Sequence, residues 1–487
     1  MSRTLRVLFA TSECAPLAKV GGLGEVSSAL PAALRRAGVD ARVLLPGYPG
    51  VIEAARGGKE LARLTLFEPP FQVRLLEATL PDGVPLIVID CPRLYLRGGG
   101  PYQDEDGQDW PDNPLRFGLL SGVAAVLGGA ASPLSWQPRI VHCNDWPAAL
   151  APAYLHFAGG ARARTVMTIH NLAFQGNFAP DCVAALGLPP ASFGIDGLEF
   201  HGRMSFLKAG LVFADAVTTV SPNYAREIQS DSFGFGLQGV LRGRGESLCG
   251  ILNGIDTRVW DPETDPLIAS RYGNATLERK RPNKEALQRR FGLEIAADIP
   301  LLGAVSRLTH QKGIDLLAEA APRLVALPAQ LAVLGAGDRG LERQLRSVAE
   351  RYPGKISVVA AYDERLAHSI EAGADLFLMP SRFEPCGLNQ MYSQRYGTPP
   401  VAHATGGLVD TIVDCNPATL AAGSATGFLF SEPTASALIS AVGRALELFA
   451  DPSRWRALQR AGMARDFGWD APAREYANLY ARFSPAG

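Results

Sequence analysis

The feature that most constrains this chain is a repeated alternation of short, continuously apolar segments with segments of helical periodicity. The apolar segments span residues 6–12, 41–45, 85–90, 140–144, 165–170 and 216–221, and then 301–306, 331–335, 356–360, 376–380 and 400–403. Continuous apolar runs are typical of parallel strands that helices cover on both faces. The pattern therefore predicts an α/β fold with two doubly wound, Rossmann-like domains.

Helical segments connect these runs. Residues 26–36 place apolar side chains at i, i+4, i+7 and i+8, which is the spacing of a helix packed on a sheet. Further helices are expected near 316–324, 341–351, 364–372 and 435–448. Two sheets built in this way would face each other across a deep cleft, because open α/β sheets bind ligands beyond the carboxyl ends of their strands.

The domain boundary is expected near residues 243–253, ahead of a polar segment rich in Pro, Asp and Arg. We assign residues 1–247 to a first domain and 248–465 to a second. Residues 466–487 carry several aromatic side chains, which have to be buried somewhere. We expect this last segment to return to the first domain.

Composition excludes several classes of protein. Hydrophobic residues make up 47% and charged residues 20% of the 487 positions, which is globular composition, and the formal net charge is −1. Such a balance gives no general attraction to nucleic acid or to an anionic membrane. The N-terminal apolar run is too short for a signal peptide and is expected to form the first strand. The seven scattered cysteines, with no C-x-x-C pair, favour a reducing compartment over disulfides or a zinc site, so we expect a soluble, cytoplasmic protein.

A glycine-rich segment follows the first predicted strand, with the sequence Lys19-Val-Gly-Gly-Leu-Gly-Glu25. Its glycines allow close approach of the backbone to a ligand, and the next helix offers free N–H groups to an anion. A simple turn with a solvated lysine is equally compatible with these residues. The segment is a poor dinucleotide fingerprint, because Ser27 occupies the third small position and no acidic residue ends the second strand. A dinucleotide-dependent oxidoreductase is therefore disfavoured.

Two further strands of the first half end in polar residues. Asp145 followed by Trp146 offers a carboxylate for sugar hydroxyls and an aromatic face for sugar C–H groups, although an isolated aspartate at this place is as often a helix cap. His170 ends the next strand, where a packed histidine is a common alternative to a functional one.

The second half contains a candidate site for a sugar diphosphate. Arg307 and Lys312 follow a strand and can hold a diphosphate, although a solvated loop would also carry them. Glu384 ends a later strand and is followed by Pro, Gly and a helix, which would combine a carboxylate for sugar hydroxyls with N–H groups for phosphate. Tyr362 can stack on a base or simply lie at the rim of the site.

These motifs, taken in order, resemble bacterial glycogen synthases and plant starch synthases. The resemblance rests on KVGGLG from Lys19, PYQD from Pro101, WPDNPxRF from Trp110, TTVSPxY from Thr218, GILNGID from Gly250, SRxxxxKG from Ser306, SRFEPCGL from Ser381 and TGGL from Thr405. The motifs cover nearly the whole chain, and the ordered set is specific.

The resemblance implies a GT-B fold and a retaining transferase that moves glucose from ADP-glucose to the end of an α-1,4-glucan such as glycogen or a malto-oligosaccharide. It implies no cofactor, no metal and no nucleic-acid or membrane partner. The implied catalytic group comprises His170 beside the anomeric carbon, Asp145 at a sugar, Glu384 at the donor glucose, and Arg307 with Lys312 at the diphosphate. The implied donor contacts are Lys19, Gly22, Asn253, Tyr362 near the adenine, and the amides of Cys386, Gly387 and Leu388; Tyr102 is implied to help place a sugar.

The sequence departs from the family pattern in two places and leaves alternatives open. Glu25 stands where the family usually has Asp, and Pro147 stands where His is common. The second glutamate of the wider E-x7-E class is replaced by Tyr392, as is normal for glycogen synthases. A UDP-glucose-dependent or other retaining GT-B transferase is the main alternative. A catalytically silent glucan-binding protein is disfavoured, because binding alone has no use for a diphosphate clamp.

Overall fold

Parallel strand pairing organises both large sheets of the chain. The computed structural model describes residues 4–483, and each of the eleven predicted apolar segments forms a strand with a parallel neighbour there. Residues 1–3 of the predicted first domain and 484–487 of the predicted returning segment lie outside the described residues. The chain divides into two units, Met1–Asn253 with Trp469–Gly487, and Gly254–Gly468. The α/β fold with two parallel sheets is therefore confirmed.

The first unit is built on a nine-stranded sheet. Its strands, with those of a small three-stranded sheet, are β1 (Arg6–Ala10), β2 (Asp40–Pro46), β3 (Glu60–Leu66), β4 (Phe71–Thr79), β5 (Pro85–Asp90), β6 (Ile140–Asn144), β7 (Arg164–Ile169), β8 (Asn177–Phe178), β9 (Glu199–Phe200), β10 (Arg203–Ser205), β11 (Ala216–Thr219) and β12 (Leu248–Gly250). The order in the large sheet is β12-β11-β7-β6-β1-β2-β5-β4-β3, and β3 and β4 are antiparallel additions that the apolar runs did not predict.

Helices cover this sheet. They are α1 (Gly22–Arg36), α2 (Pro49–Ala54), α3 (Pro92–Tyr95), α4 (Asn113–Gly128), α5 (Asp145–Ala148), α6 (Ala151–Ala158), α7 (Cys182–Ala185), α8 (Phe206–Phe213), α9 (Pro222–Glu227) and α10 (Gln238–Gly243). The central strand β1 lies between β2 and β6, with Val7 opposite Ala41 and Ile140. Val26 and Leu30 of α1 pack on Val7 and join its core cluster.

The second unit contains a six-stranded parallel sheet in the order β15-β14-β13-β16-β17-β18. Its strands are β13 (Leu301–Val305), β14 (Gln330–Leu334), β15 (Ile356–Val359), β16 (Leu376–Met379), β17 (Pro400–His403) and β18 (Phe428–Phe430). Its helices are α11 (Arg281–Phe291), α12 (Ile314–Leu324), α13 (Arg339–Arg351), α14 (Glu364–Gly373), α15 (Asn389–Arg395), α16 (Gly407–Thr411), α17 (Pro417–Ala421), α18 (Ala435–Phe449) and α19 (Pro452–Met463). Two apolar clusters lie on the two faces of the sheet. Leu301 and Leu302 are adjacent in β13, so their side chains point to opposite faces, and they belong to different clusters.

The last helix, α20 (Asp470–Phe483), packs on the first unit. Trp469, Tyr476 and Tyr480 belong to the same buried cluster as Val7 and Phe9 of β1. The Tyr480 hydroxyl lies 2.7 Å from Nδ1 of the fully buried His142, whose Nε2 lies 2.6 Å from the Thr168 hydroxyl. Burial lowers the pKa of His142 to about 3, so the ring is neutral and donates a hydrogen bond from one nitrogen while it accepts one at the other.

The domain boundary lies six residues beyond the predicted one. Residues 248–253 were assigned to the second domain, but β12 pairs in parallel with β11 and places Leu248 opposite Val217 in the first sheet. Residues 466–468, assigned to the returning segment, belong to the second unit, where the Phe467 carbonyl accepts a hydrogen bond from the Ile255 amide at 2.8 Å. The correction has a simple cause: a three-residue strand gives too short a pattern to recognise.

Two other features of the described residues bear on the sequence analysis. No helix within residues 4–483 is long and apolar enough to cross a membrane. None of the seven cysteines forms a disulfide bond with another residue in the described part of the chain.

The bond between Tyr480 and His142 gives a prediction about stability. We expect Tyr480→Phe to lower the free energy of unfolding by about 1–3 kcal/mol, because it leaves the buried Nδ1 of His142 without a hydrogen-bond partner. Chemical denaturation of wild-type and variant protein measures the effect. Tyr362→Phe removes the same atom from a side chain that is 76% exposed and serves as the control; equal destabilisation by the two changes would contradict the prediction.

Candidate functional site

A buried carboxylate holds the glycine-rich loop of the first unit. Glu13 follows β1 and is 4% exposed. Its Oε2 accepts hydrogen bonds from the amides of Val20 at 2.7 Å and Gly21 at 3.0 Å, and its Oε1 accepts one from the Tyr102 hydroxyl at 2.7 Å. Sequence reasoning missed Glu13 and assigned Tyr102 to a sugar. In the structure, the Tyr102 hydroxyl is engaged by Glu13 and Ser12, at 2.8 Å from the latter.

The predicted donor contacts Lys19 and Gly22 lie on this loop and at the start of α1. The Lys19 ammonium lies 2.7 Å from Oε1 of Glu25, and about a third of each side chain is exposed. Glu25, the residue that departs from the family pattern, is therefore the ion-pair partner of the candidate cation. Gly22 is the first residue of α1, and Gly21 before it has no side chain to cap the helix.

Asp145 connects the ends of two neighbouring strands. It follows β6 with a positive φ of 57°, and its Oδ1 accepts hydrogen bonds from the amides of His170 at 3.1 Å and Asn171 at 3.5 Å. Asp145 is the first residue of α5 and does not cap it. Burial raises the pKa of Asp145 to about 7, partly opposed by the two amide bonds and reinforced by the Glu13 charge.

Asn144 fixes the orientation of His170. The Asn144 side chain is fully buried, and its Nδ2 donates to the carbonyls of Ala10 at 3.2 Å and His142 at 3.3 Å. Its Oδ1 therefore faces the His170 Nε2 at 3.1 Å, and that nitrogen has to carry the proton. Burial lowers the pKa of His170 to about 3, so the ring is neutral and its Nδ1 is an acceptor.

Two other first-unit residues stand differently from expectation. The Trp146 ring is half-buried and packed against Phe117, Phe178 and Phe206 at centroid distances of 4.8, 5.8 and 6.1 Å, so it belongs to an aromatic cluster. Asn253 is 6% exposed, and its buried Oδ1 has no hydrogen-bond partner among the described residues. It lies at the end of the first unit, whereas the sequence analysis placed it in the second domain.

In the second unit, the loops that follow β13 and β16 are fastened together. Arg382 donates to both carboxylate oxygens of Asp315, at 2.7 and 2.6 Å, and to the His310 carbonyl at 2.8 Å. Gly313 has a φ of 65°, and a Cβ there would stand 1.9 Å from the Pro380 carbonyl oxygen. Only glycine permits this approach, which brings Lys312 to the end of β16.

Glu384 and Lys312 are in direct contact there. Lys312 Nζ lies 2.6 Å from Glu384 Oε2, and the Ser381 hydroxyl donates to the same oxygen at 3.0 Å. The side chains of Lys312 and Glu384 are 19% and 6% exposed, respectively. No described residue donates a hydrogen bond to Oε1 of Glu384, so this oxygen can accept from a ligand. Arg307 follows β13 directly, is exposed and forms no ion pair with a described residue.

Three of the remaining predicted residues of the second unit follow Glu384 in the sequence, and the fourth follows the edge strand β15. Cys386 is buried, and Gly387 and Leu388 are half-buried ahead of the seven-residue helix α15. The amides of Gly387 and Leu388 donate no hydrogen bond to a described residue. Tyr362 follows β15 and is 76% exposed. The structure thus brings Glu384 and Lys312 into contact, and it leaves Tyr362 as a rim residue.

Comparisons with known proteins identify the family of this chain. The family model described as "Starch synthase catalytic domain" matches residues 6–243, and that described as "Glycosyl transferases group 1" matches residues 287–460. A glycogen synthase of Aromatoleum aromaticum is 57% identical over 98% of this chain and 96% of its own length, and one of Nitrosomonas eutropha is 55% identical over the same shares. The catalytic domain of starch synthase IV from Arabidopsis thaliana, bound to ADP and acarbose, superposes with a TM-score of 0.87 at 32% identity over 99% of both chains.

Fold and comparisons together define a glycosyltransferase with the GT-B fold. Within that class, relatives of more than half identity span nearly the full length of the chain. The chain belongs to the family of bacterial glycogen synthases and plant starch synthases.

The raised pKa of Asp145 predicts a pH-dependent stability. Because its native pKa of about 7 lies above the ordinary value of 3.8, the unfolded chain loses this proton first as pH rises, and stability is lost between about pH 4 and pH 7. Asparagine tolerates the positive φ and can still accept the His170 amide. From pH 5 to pH 8 the wild type should lose about 3 kcal/mol relative to Asp145→Asn, measured by urea titration. Parallel losses in both proteins would refute the assignment.

The Asn144 contact predicts which tautomer His170 adopts. In the wild type at pH 7, long-range proton–nitrogen NMR correlations should report His170 with its proton on Nε2, because Asn144 presents only an acceptor to that nitrogen. The resonance is assigned by its disappearance in His170→Gln. A proton on Nδ1 with none on Nε2 would show that Asn144 does not hold the ring in this way.

Proposed function

We propose that this enzyme transfers glucose from ADP-glucose to the non-reducing end of an α-1,4-glucan such as glycogen, with retention at the anomeric carbon. The observation that carries the proposal is the contact of Lys312 and Ser381 with one oxygen of Glu384, which leaves Oε1 to accept sugar hydroxyls. The relative that was solved with ADP and acarbose supports an adenine nucleotide as donor and a glucan as acceptor.

We assign the diphosphate to the cations and amides of the second unit. Arg307 and Lys312 would neutralise the charge that develops on the diphosphate as its bond to C1 breaks, and the amides of Gly387 and Leu388 would donate to its oxygens. Tyr362 would lie against the adenine. Loss of one such cation is expected to cost about 2.7–4 kcal/mol of transition-state stabilisation, or about 10²–10³ in rate, by analogy with a lost oxyanion donor. This proposal needs no metal and no other cofactor.

We assign the glucose and the acceptor to Glu384 and to the first unit. The neutral His170 would offer its Nδ1 to a sugar hydroxyl beside the anomeric carbon, and Asp145 would contact the donor or acceptor sugar. Contacts to the donor would come from Lys19, Gly22 and Asn253. In the reaction the acceptor O4 bonds to C1 on the face that the diphosphate leaves, and the hydroxyl proton passes to the departing diphosphate. A double-displacement route would need a second carboxylate at C1, and we assign none there.

The proposal is tested by nucleotide release from ADP-glucose and from UDP-glucose, each with and without glycogen. We expect ADP release that depends on glycogen and is accompanied by chain elongation. Faster release of UDP would replace the proposed donor with UDP-glucose. No release from either donor by folded protein would overturn the proposed function.

Glu384→Gln examines the carboxylate itself. The variant keeps the size of the side chain but leaves Lys312 without its counter-charge and weakens the acceptor, so we expect glycogen-dependent release to fall by about 10²-fold or more. Asp451→Asn is the matched control, because it makes the same change at a helix cap in the same unit, where asparagine caps equally well. Near-normal turnover of Glu384→Gln would remove Glu384 from the mechanism.

We also place the enzyme in the cytoplasm. Seven cysteines without a disulfide bond in the described part of the chain are compatible with a reducing compartment.

A further inference from the structure

A cavity of about 790 Å³ opens at the amino ends of the first-unit strands β1, β2 and β6. Glu13, Asp145 and His170 all follow carboxyl ends of strands in the same sheet, so the cavity lies at the opposite edge from the candidate site. Its polar lining comprises Thr4, Arg6, Arg35, Asp40, Gln137 and Arg139.

The strand register places two of these arginines side by side. Val7 pairs with Ile140, and the Arg139 amide donates to the Arg6 carbonyl at 2.9 Å, so Arg6 and Arg139 adjoin at the ends of neighbouring strands. Neither guanidinium forms an ion pair or a side-chain hydrogen bond with any residue between 4 and 483. Like charges at adjacent strand positions destabilise the sheet unless a counter-ion lies between them.

The third arginine and the one carboxylate of the lining do not cancel this charge. Arg35 donates to Asp40 Oδ1 at 3.1 Å and to the Ala41 carbonyl at 3.3 Å. Asp40 is shared with Arg42 at 3.7 Å and accepts a hydrogen bond from Trp136 at 2.7 Å. With three guanidinium groups, one carboxylate and about half a negative charge from the carboxyl end of α1, the cavity carries about +1.5 charges. This local excess stands out in a chain of net charge −1.

The size of the cavity indicates a ligand larger than a bare anion. Its volume of about 790 Å³ lies in the range of small-molecule sites, which is about 300–1,000 Å³. Guanidinium groups bind phosphate through paired N–H donors, and Gln137 and Thr4 add neutral groups that can bond hydroxyls. We propose that this cavity binds a small phosphate ester, such as a sugar phosphate, at a site separate from the donor site of the proposed function.

Calorimetric titration of the full-length protein with glucose 1-phosphate tests the proposal. The titration is run with saturating ADP, which would occupy the proposed donor site, and glucose serves as the uncharged control. We expect one molecule bound per chain, and affinity at least about tenfold lower in the double variant Arg6→Gln/Arg139→Gln, because two charge-assisted donors are removed. The substitutions should not lower the melting temperature, since neither side chain bonds to a described residue and the two like charges that repel each other are removed.

Two control proteins show whether the phosphate ester binds in this cavity. Arg343→Gln/Arg346→Gln removes two exposed charges from α13 and should bind as the wild type does, which excludes a general effect of net charge. Arg307→Gln should also bind normally; loss of binding there would place the phosphate in the second unit and overturn the proposal. Unchanged affinity in Arg6→Gln/Arg139→Gln, or no binding by the wild type, would overturn it as well. These results do not depend on whether the chain transfers glucose.

Discussion

Parallel strand order is the constraint on which the rest of this structure depends. In a parallel sheet every strand points the same way, so the residues that follow neighbouring strands meet at one edge. Glu13 follows β1, Asp145 follows β6 and His170 follows β7, while Arg307 and Glu384 stand at or near the ends of β13 and β16. The candidate site residues are far apart in sequence, and each unit gathers its own set because its strands run in register.

Two buried carboxyl groups set the geometry of the loops in the first unit, and the candidate sites of the two units differ in charge. Glu13 binds backbone amides, and Asp145 does the same with a carboxyl group that is protonated at moderately low pH. These two carboxyl groups and the neutral ring of His170 add no positive charge to the candidate site of the first unit, and they act there through hydrogen bonds. In the second unit, Lys312 and Arg307 supply the positive charge of the candidate site.

The sequence revealed the strands that are buried on both faces and the polar residues at their ends, because both leave short, local patterns. The β4 strand was missed because it alternates buried and exposed side chains as an antiparallel strand with one wet face does. Glu13 and Asn144 were missed for another reason. Their importance lies in partners that are distant in sequence, the Tyr102 hydroxyl for the first and the ring of His170 for the second, and no local spacing encodes such a contact. The aromatic contacts of Trp146 could not be predicted either, because an aromatic residue at a strand end can face either a ligand or other side chains.

The docking of α20 has a consequence for how the protein is made. Tyr476 and Tyr480 fill the core around β1, yet the ribosome adds them about 470 residues after β1. While the chain is being synthesised, the second unit can complete its own core before the first can. The first unit thus closes after the second, and its unfilled apolar face has to be shielded from other nascent chains until α20 has been made.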